Sequence, residues 1–220
     1  MSLPEHPNLC RFISFDAAAR PKPVLVMELV VGTTCEKLVT AGKLTPARAL
    51  AILDGVLAGL GAMHGVGIGH LDLKPSNIVV RGDTEPILVD FGMAGRHLRP
   101  GCGTACYCAP EVWGVLADGA KATPMTADVY AFGCVAYEVL TGKVLFDGPS
   151  APAVVSAHIT HDGRPPLVAK MAETPGLGHA AALISHCLRR NPEDRPDVPT
   201  LRAALRNVGG RFAHLAWPLA

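Results

Sequence analysis

Asn77 and Asp90 bracket a short apolar hairpin, and that arrangement constrains this chain more than any other stretch. Ile78-Val79-Val80 and Ile87-Leu88-Val89 are short runs rich in β-branched residues, and Arg81-Gly82-Asp83-Thr84-Glu85-Pro86 between them is turn-forming. Antiparallel pairing of the two runs carries the residue before the first strand and the residue after the second to the same open end. His70-Leu71-Asp72-Leu73-Lys74-Pro75-Ser76 leads into Asn77, and Phe91-Gly92 follows Asp90. An acid, a lysine, an amide and a second acid are thereby drawn towards one place.

The rest of the chain supplies a scaffold for that place. Residues 9–16 and 24–31 are two apolar runs around a proline-marked turn and read as a strand pair. A short helix is expected over Cys35 to Ala41. Thr45-Pro46 starts a longer one, with threonine as cap and proline at the first helical position, and Leu50, Leu53, Leu57 and Leu60 give it an apolar stripe. Gly65, Gly67 and Gly69 end it. They are spaced like a nucleotide loop but follow a helix rather than a strand, which argues against that role. After an irregular stretch from Gly92 to Pro124, Thr126 is expected to cap a second apolar helix ending at Thr141-Gly142. Further helices are expected at 150–161, 178–190 and 198–208.

Charge and composition narrow the function classes. The chain has 20 Lys plus Arg against 19 Asp plus Glu. That balance argues against nucleic acid or an acidic membrane as the main partner. Val24–Val31 and Val129–Leu140 are the nearest approaches to a membrane span, and each is short and carries a glutamate. The first residues lack the basic-then-apolar form of a secretory signal. Seven cysteines, an odd number, suit reduced thiols and a cytoplasmic location better than a disulfide framework.

An amide and a carboxylate converging on one point suit a hard divalent cation. Mg²⁺ takes few protein oxygens and completes its shell with water and phosphate, so Asn77 and Asp90 are the candidate metal ligands. Asp72 would lie beside the metal, placed to orient an attacking hydroxyl and accept its proton, and Lys74 would offer its ammonium to a transferring phosphate. Each element alone is commonplace: Asp-x-Lys is usually surface charge, and an aspartate leaving a strand is an ordinary turn former. The ordered set is specific: His-x-Asp-x-Lys-x-x-x-Asn, a hairpin, Asp-Phe-Gly, and then Ala109-Pro110-Glu111.

On these residues the chain resembles the eukaryotic-type protein kinases, in particular their C-terminal lobe, from near residue 6 to near residue 208. Asp-Leu-Lys-Pro at 72–75 and Gly103-Thr104-x-x-Tyr107-x-Ala109-Pro110-Glu111 look like the serine/threonine subclass. The resemblance implies an α+β, protein-kinase-like fold: residual N-lobe strands and hinge at 1–31, a mainly helical C-lobe at 32–208, and a tail at 209–220. It implies ATP and Mg²⁺ as cofactors and a protein hydroxyl as acceptor. Asp72, Lys74, Asn77 and Asp90 are then the catalytic set. Met27-Glu28-Leu29-Val30 resembles the hinge, so Glu28 C=O and Val30 N–H would meet the adenine edge and Val79 would pack under the ring. Glu111 and Arg195 match the family's buried ion pair, and Asp128 matches the helix aspartate that holds the catalytic loop. His70 reads as a packed core histidine.

The chain also departs from the family pattern. Leu71 stands where most regulated kinases carry an arginine that pairs with a phosphate on the activation segment, and between Gly92 and Gly103 there is no Ser, Thr or Tyr to accept one. Cys102, Cys106 and Cys108 do not have a standard zinc spacing. They read first as small packed side chains, with thiol oxidation the alternative. The family's glycine-rich loop, phosphate-clamping strand lysine and helix glutamate would all precede His6, and neither Lys22 nor Lys37 is placed to substitute. Residues 9–31 would then leave one edge and one face of a sheet uncovered. Three explanations stand side by side: a fragment or misassigned start, a catalytically weak relative, or a partner that covers the incomplete N-lobe. A pseudokinase-like protein-binding module is the alternative function, and weak phosphotransfer is the expectation for the chain alone.

Overall fold

The computed structural model describes residues 3–116, 118–209, 212 and 217–219. The front of the molecule is an antiparallel hairpin, β1 (Phe12–Asp16) with β2 (Val24–Met27). The Asp16 carboxylate accepts from the N–H groups of Ala18 and Ala19 at 2.8 and 3.1 Å and so starts the turn. The strands are shorter than the apolar runs that announce them. Residues 8–10 pair elsewhere: Cys10 N–H donates to Leu88 O at 2.9 Å, and Leu88 N–H to Asn8 O at 2.9 Å. Leu9 is thereby buried in the main core, while Phe12, Ile13, Phe15, Val24, Leu25 and Val26 stay exposed on the hairpin.

The second sheet joins the two halves of the candidate site. β3 (Thr33–Thr34), β4 (Ile78–Arg81) and β5 (Glu85–Leu88) lie antiparallel in that order. The short strand β3 is not apparent from the sequence. The turn is tighter than expected, because Arg81 pairs with Glu85 and leaves only residues 82–84 to reverse the chain. Ile78 and Val80 face the core, and Val79 and Arg81 face outward, as period-two alternation requires. Gly32 precedes β3 where a Cβ would lie 2.4 Å from Val80 O, so no other residue allows this close approach.

Helices make up the remainder. α1 (Cys35–Thr40) is capped by Thr34, and α2 (Pro46–Gly65) by Thr45, whose hydroxyl accepts from Arg48 N–H at 3.3 Å. By length and composition α2 could span a membrane, which neither Val24–Val31 nor Val129–Leu140 could. Here it is a core helix: Ile52, Leu53, Val56, Leu57, Leu60 and Met63 are fully buried against α3 (Pro124–Thr141), α7 (Val198–Gly209) and β5. Its Asp54 accepts a two-pronged bond from Arg202 of α7 at 2.9 and 2.7 Å.

α3 is the central rod, nearly all of it buried. Its cap is Thr123, not Thr126. Pro124 occupies the first position, and Thr126 completes a reciprocal box by accepting from Thr123 N–H at 3.0 Å. Gly142, at φ +73°, closes its C-terminus as expected. α4 (Ala151–Ile159), α6 (Gly178–Cys187) and α7 fall within or near the expected spans. Helix α5 (Pro166–Glu173) was not foreseen, because Pro165-Pro166 reads as a breaker. Pro166 stands instead at the first helical position, where it lacks no needed donor. α6 crosses α3 closely: a Cβ on Gly133 would lie 2.7 Å from Cys187 Cβ. In the expected tail, residues 210, 211, 213–216 and 220 lie outside the described residues. Leu219 is buried and donates its N–H to Leu140 O at 2.8 Å.

Candidate active site

The stretch from 70 to 77 is held from behind by one buried carboxylate. Asp128, near the start of α3 and 1% exposed, accepts from the N–H groups of His70 at 2.7 Å and Leu71 at 2.8 Å, and from His64 Nε2 at 2.9 Å. Leu71 sits at φ +65°, an unusual conformation for a branched residue that this double anchorage enforces. His70 is wholly buried, edge-on to Phe91. Its Nε2 donates to Val89 O at 3.1 Å and its Nδ1 accepts from Asp72 N–H at 3.4 Å. Both ring nitrogens are thus satisfied in the neutral form, and burial lowers the imidazole pKa. His70 is packing, as its surroundings in the sequence suggest.

In front of that anchorage the polar side chains converge. Asp72 Oδ2 accepts from Lys74 Nζ at 2.8 Å and Asn77 Nδ2 at 3.1 Å, and Asp72 Oδ1 accepts from Thr104 Oγ at 2.9 Å. Lys74 Nζ also donates to Thr104 Oγ at 2.9 Å. Asn77 Nδ2 reaches the Asp72 main-chain carbonyl as well, at 2.9 Å, which leaves Oδ1 as the free end of the amide. Thr104 is the residue that sequence reasoning did not assign to the site. The motif Gly103-Thr104 pointed to its neighbourhood, but nothing in the spacing says that its hydroxyl crosses back to Asp72.

The hairpin delivers Asp90 to the same end. Val89 N–H donates to Asn77 O at 3.0 Å, extending the β4–β5 ladder to the residue before Asp90. Asp90 turns at φ +61°, with its carboxylate exposed, and accepts from Gly92 N–H at 3.3 Å. Asp72, Lys74, Asn77 and Thr104 are therefore bonded together, and Asp90 is their neighbour without a bond to them. The donor set fits Mg²⁺: one free amide oxygen and one exposed carboxylate at the same end of the hairpin.

The adenine-edge candidates are more dispersed. Glu28 follows β2, donates its N–H to Arg11 O at 3.0 Å, and receives the Cys10 thiol on its carbonyl at 3.5 Å. Its carboxylate lies 3.4 Å from Arg81 and 4.0 Å from Arg11. Val30 and Val79 are half-buried, Val79 on the outward face of β4. Leu29, between Glu28 and Val30, is 89% exposed. An apolar hollow of about 430 Å³ lies under the β1–β2 hairpin, lined by Phe12, Phe15, Leu25, Met27 and Phe91.

Below the site, Arg195 makes a two-pronged pair with Glu111 at 2.5 and 2.9 Å, both side chains buried, as the motif pattern implied. A family profile described as the protein kinase domain matches residues 1–205. The chain belongs to the protein kinase family. It is similar to the serine/threonine-protein kinase PkaA of Streptomyces coelicolor, at 33% identity over 92% of this chain and 37% of that one. PknB of Mycobacterium tuberculosis is 36% identical over 82% of this chain and 29% of its own length. For pkn2 of Myxococcus xanthus the figures are 34%, 90% and 24%. The chain thus spans about a third of the length of the curated relatives it matches.

Within this kinase chain the remaining motifs have structural explanations. Gly67 takes φ +71°. Gly69 lies where a Cβ would come within 2.5 Å of Pro124, and its main chain pairs with Gly95 through bonds of 2.9 and 3.0 Å. Gly67 and Gly69 shape the loop that leads from α2 into the stretch 70–77. All seven cysteines are free thiols. Cys108 is buried and its pKa is pushed up to about 12, Cys106 is half-buried with a raised pKa, and Cys102 is exposed. A raised thiol pKa lowers the fraction of reactive thiolate, so Cys106 and Cys108 are poor nucleophiles.

Proposed function

We propose that this chain is the catalytic lobe of a serine/threonine protein kinase, with residues 32–208 as the helical lobe and 1–31 as a remnant of the smaller one. It would transfer the γ-phosphoryl group of MgATP to a protein hydroxyl. The observation that carries this reading is the bonded set Asp72–Lys74–Asn77–Thr104, with Asp90 delivered beside it by the hairpin ladder.

Each residue has a task that its geometry suits. The Asp72 carboxylate is fixed by three donors, so an incoming hydroxyl meets an acceptor of set direction and gives up its proton there. Lys74, already beside Asp72, balances the negative charge that gathers on the transferring group. Asn77 Oδ1 and the Asp90 carboxylate would hold Mg²⁺, which when bound supplies charge neutralisation to the phosphates. Glu28 C=O and Val30 N–H would receive the adenine edge, and Val79 would support the ring. The odd set of free, mostly buried thiols supports a reducing, cytoplasmic setting.

Lys22 lies in the β1–β2 turn and Lys37 in α1, both exposed, so neither serves as a phosphate clamp. Transfer by the chain alone is therefore expected to be weak. The exposed apolar hairpin supports a further expectation, that other polypeptide covers it in the working protein. It also supports the second reading, a pseudokinase-like binding module. The test is transfer from radiolabelled ATP to serine- and threonine-bearing peptides with Mg²⁺ titrated. Mg²⁺-dependent transfer that drops about 100-fold or more in Asp90→Ala is expected. Transfer untouched by Asp90→Ala would sink the kinase reading, and peptide binding without any transfer would favour the binding module.

A further inference from the structure

Cys102 and Cys108 stand at the two ends of the segment that carries Thr104, and no step above uses them. The segment folds back on itself: Tyr107 N–H donates to Thr104 O at 3.0 Å, and Cys108 N–H to Ala105 O at 3.4 Å. The reversal returns the Cys108 side chain to the start of the segment, where its thiol donates to the Cys102 carbonyl at 3.5 Å. Gly103 allows this approach. It takes φ +130°, and a Cβ there would lie 2.6 Å from Cys108 Sγ.

The reversal brings the two thiols into the range that a disulfide spans. A carbonyl oxygen stands about 2.4 Å from its own Cα, so Cys108 Sγ lies no more than about 6 Å from Cys102 Cα. Disulfides join residues whose Cα atoms are about 4.4–6.8 Å apart. Cys102 is exposed, so its side chain can turn towards its partner, and Cys108 is buried. That difference sets an order of reaction: a hydroperoxide from solvent meets Cys102 and is screened from Cys108. Cys102 sulfur attacks one peroxide oxygen and the O–O bond breaks. A sulfenic acid forms, and the thiol proton leaves with the other oxygen as water. Cys108 sulfur then attacks Cys102 sulfur, the S–O bond breaks, and the Cys108 proton leaves with the hydroxyl as a second water. One electron pair passes from the two sulfurs to the peroxide, and a dithiol reductant can return it. The raised pKa of Cys108 makes the second step the slower one.

The geometry points to a reversible Cys102–Cys108 disulfide, formed with a hydroperoxide, as a modification site that turns the phosphotransfer site off. The bond closes a ring over residues 102–108 with Thr104 inside it. Thr104 Oγ donates to Asp72 Oδ1 and accepts from Lys74 Nζ, both at 2.9 Å. To form the bond, Cys108 Sγ must leave the Cys102 carbonyl and the main chain around Gly103 must shift. That shift draws the Thr104 hydroxyl away from the carboxylate. The inference rests on the kinase reading in one respect: losing the Thr104 bond slows transfer only if Asp72 receives the acceptor's proton.

The bond is read by mass on the intact chain, without any need for transfer. After hydrogen peroxide, blocking of the remaining thiols and digestion, a peptide lighter by a pair of hydrogens should join Cys102 to Cys108, with Cys106 blocked. Dithiothreitol should return both thiols. Absence of the bond, or a bond from Cys102 to Cys106, overturns the inference. Cys102→Ser changes only an exposed side chain and should lose the bond, and Cys106→Ser should keep it. Where transfer is measurable, peroxide should slow the parent chain about tenfold and reversibly, and leave Cys102→Ser within about twofold of its untreated rate. Equal slowing of both overturns the switch. Absence of transfer under reducing conditions would count against the kinase reading alone, because the bond would still be read by mass.

Discussion

Thr104 donates to one oxygen of Asp72 while Lys74 and Asn77 hold the other, so the acid's orientation depends on a hydroxyl 32 residues away in the chain. Thr104→Ala should lower the rate of transfer about 10- to 100-fold, because Asp72 Oδ1 loses its donor and the carboxylate can swing. Thr104→Ser, which keeps the oxygen, should recover most of it. A melting temperature unchanged in both variants would separate this from misfolding. Equal rates for alanine and serine would show that the bond is not used. At this scale the sequence was readable wherever the chemistry is local. Asp72, Lys74 and Asn77 lie within one short stretch, and their spacing alone foretold their meeting. Thr104 was hidden because a contact across the fold leaves no periodic trace.

Among the elements, the activation segment is pinned by main-chain bonds. The Gly69–Gly95 pair holds its start, and Gly101 N–H donates to Val112 O at 2.8 Å near its end. No Ser, Thr or Tyr lies at 93–102, and Leu71 packs against the core. Activity is therefore expected to be independent of phosphorylation in that stretch. Phosphatase treatment should leave transfer unchanged, and an activating phosphate mapped to 93–102 by mass spectrometry would refute this. Element by element, caps and apolar stripes were the dependable signals: Thr45-Pro46 and Gly142 fall where they were expected. Thr126 misled because Thr123 has the same side chain three residues earlier and Pro124 fits the first helical position. α5 was missed because proline marks a helix start as readily as an interruption. The apolar runs at 9–16 and 24–31 overstated the strands, since composition cannot say that residues 8–10 will pair with β5.

For the whole molecule, the buried histidines make stability depend on pH. His158 and His161 titrate near 6.5 when unfolded, but burial lowers them to about 3 and about 4 in the fold. Between those values and 6.5 the unfolded chain binds more protons, so stability is full above 6.5 and falls as the pH falls. The slope for His158 is at most about 1.4 kcal/mol per pH unit, and less for the more open His161. Urea midpoints should drop between pH 7 and pH 5.5, a range in which ordinary carboxylates remain ionised. The drop should shrink in His158→Gln. A flat profile in the parent chain would mean that the rings are less enclosed than they appear. The fold class itself was legible because one hairpin and two long apolar helices already dictate a helical body with a small sheet at its front.

Asp128 carries a last consequence. It grips residues 70 and 71 by their main-chain N–H groups, which every residue except proline possesses. The anchorage is therefore blind to the side chain at 71. A leucine can stand there, and the wiring between that position and any regulatory signal can be rewritten, without disturbing the footing on which Asp72 stands.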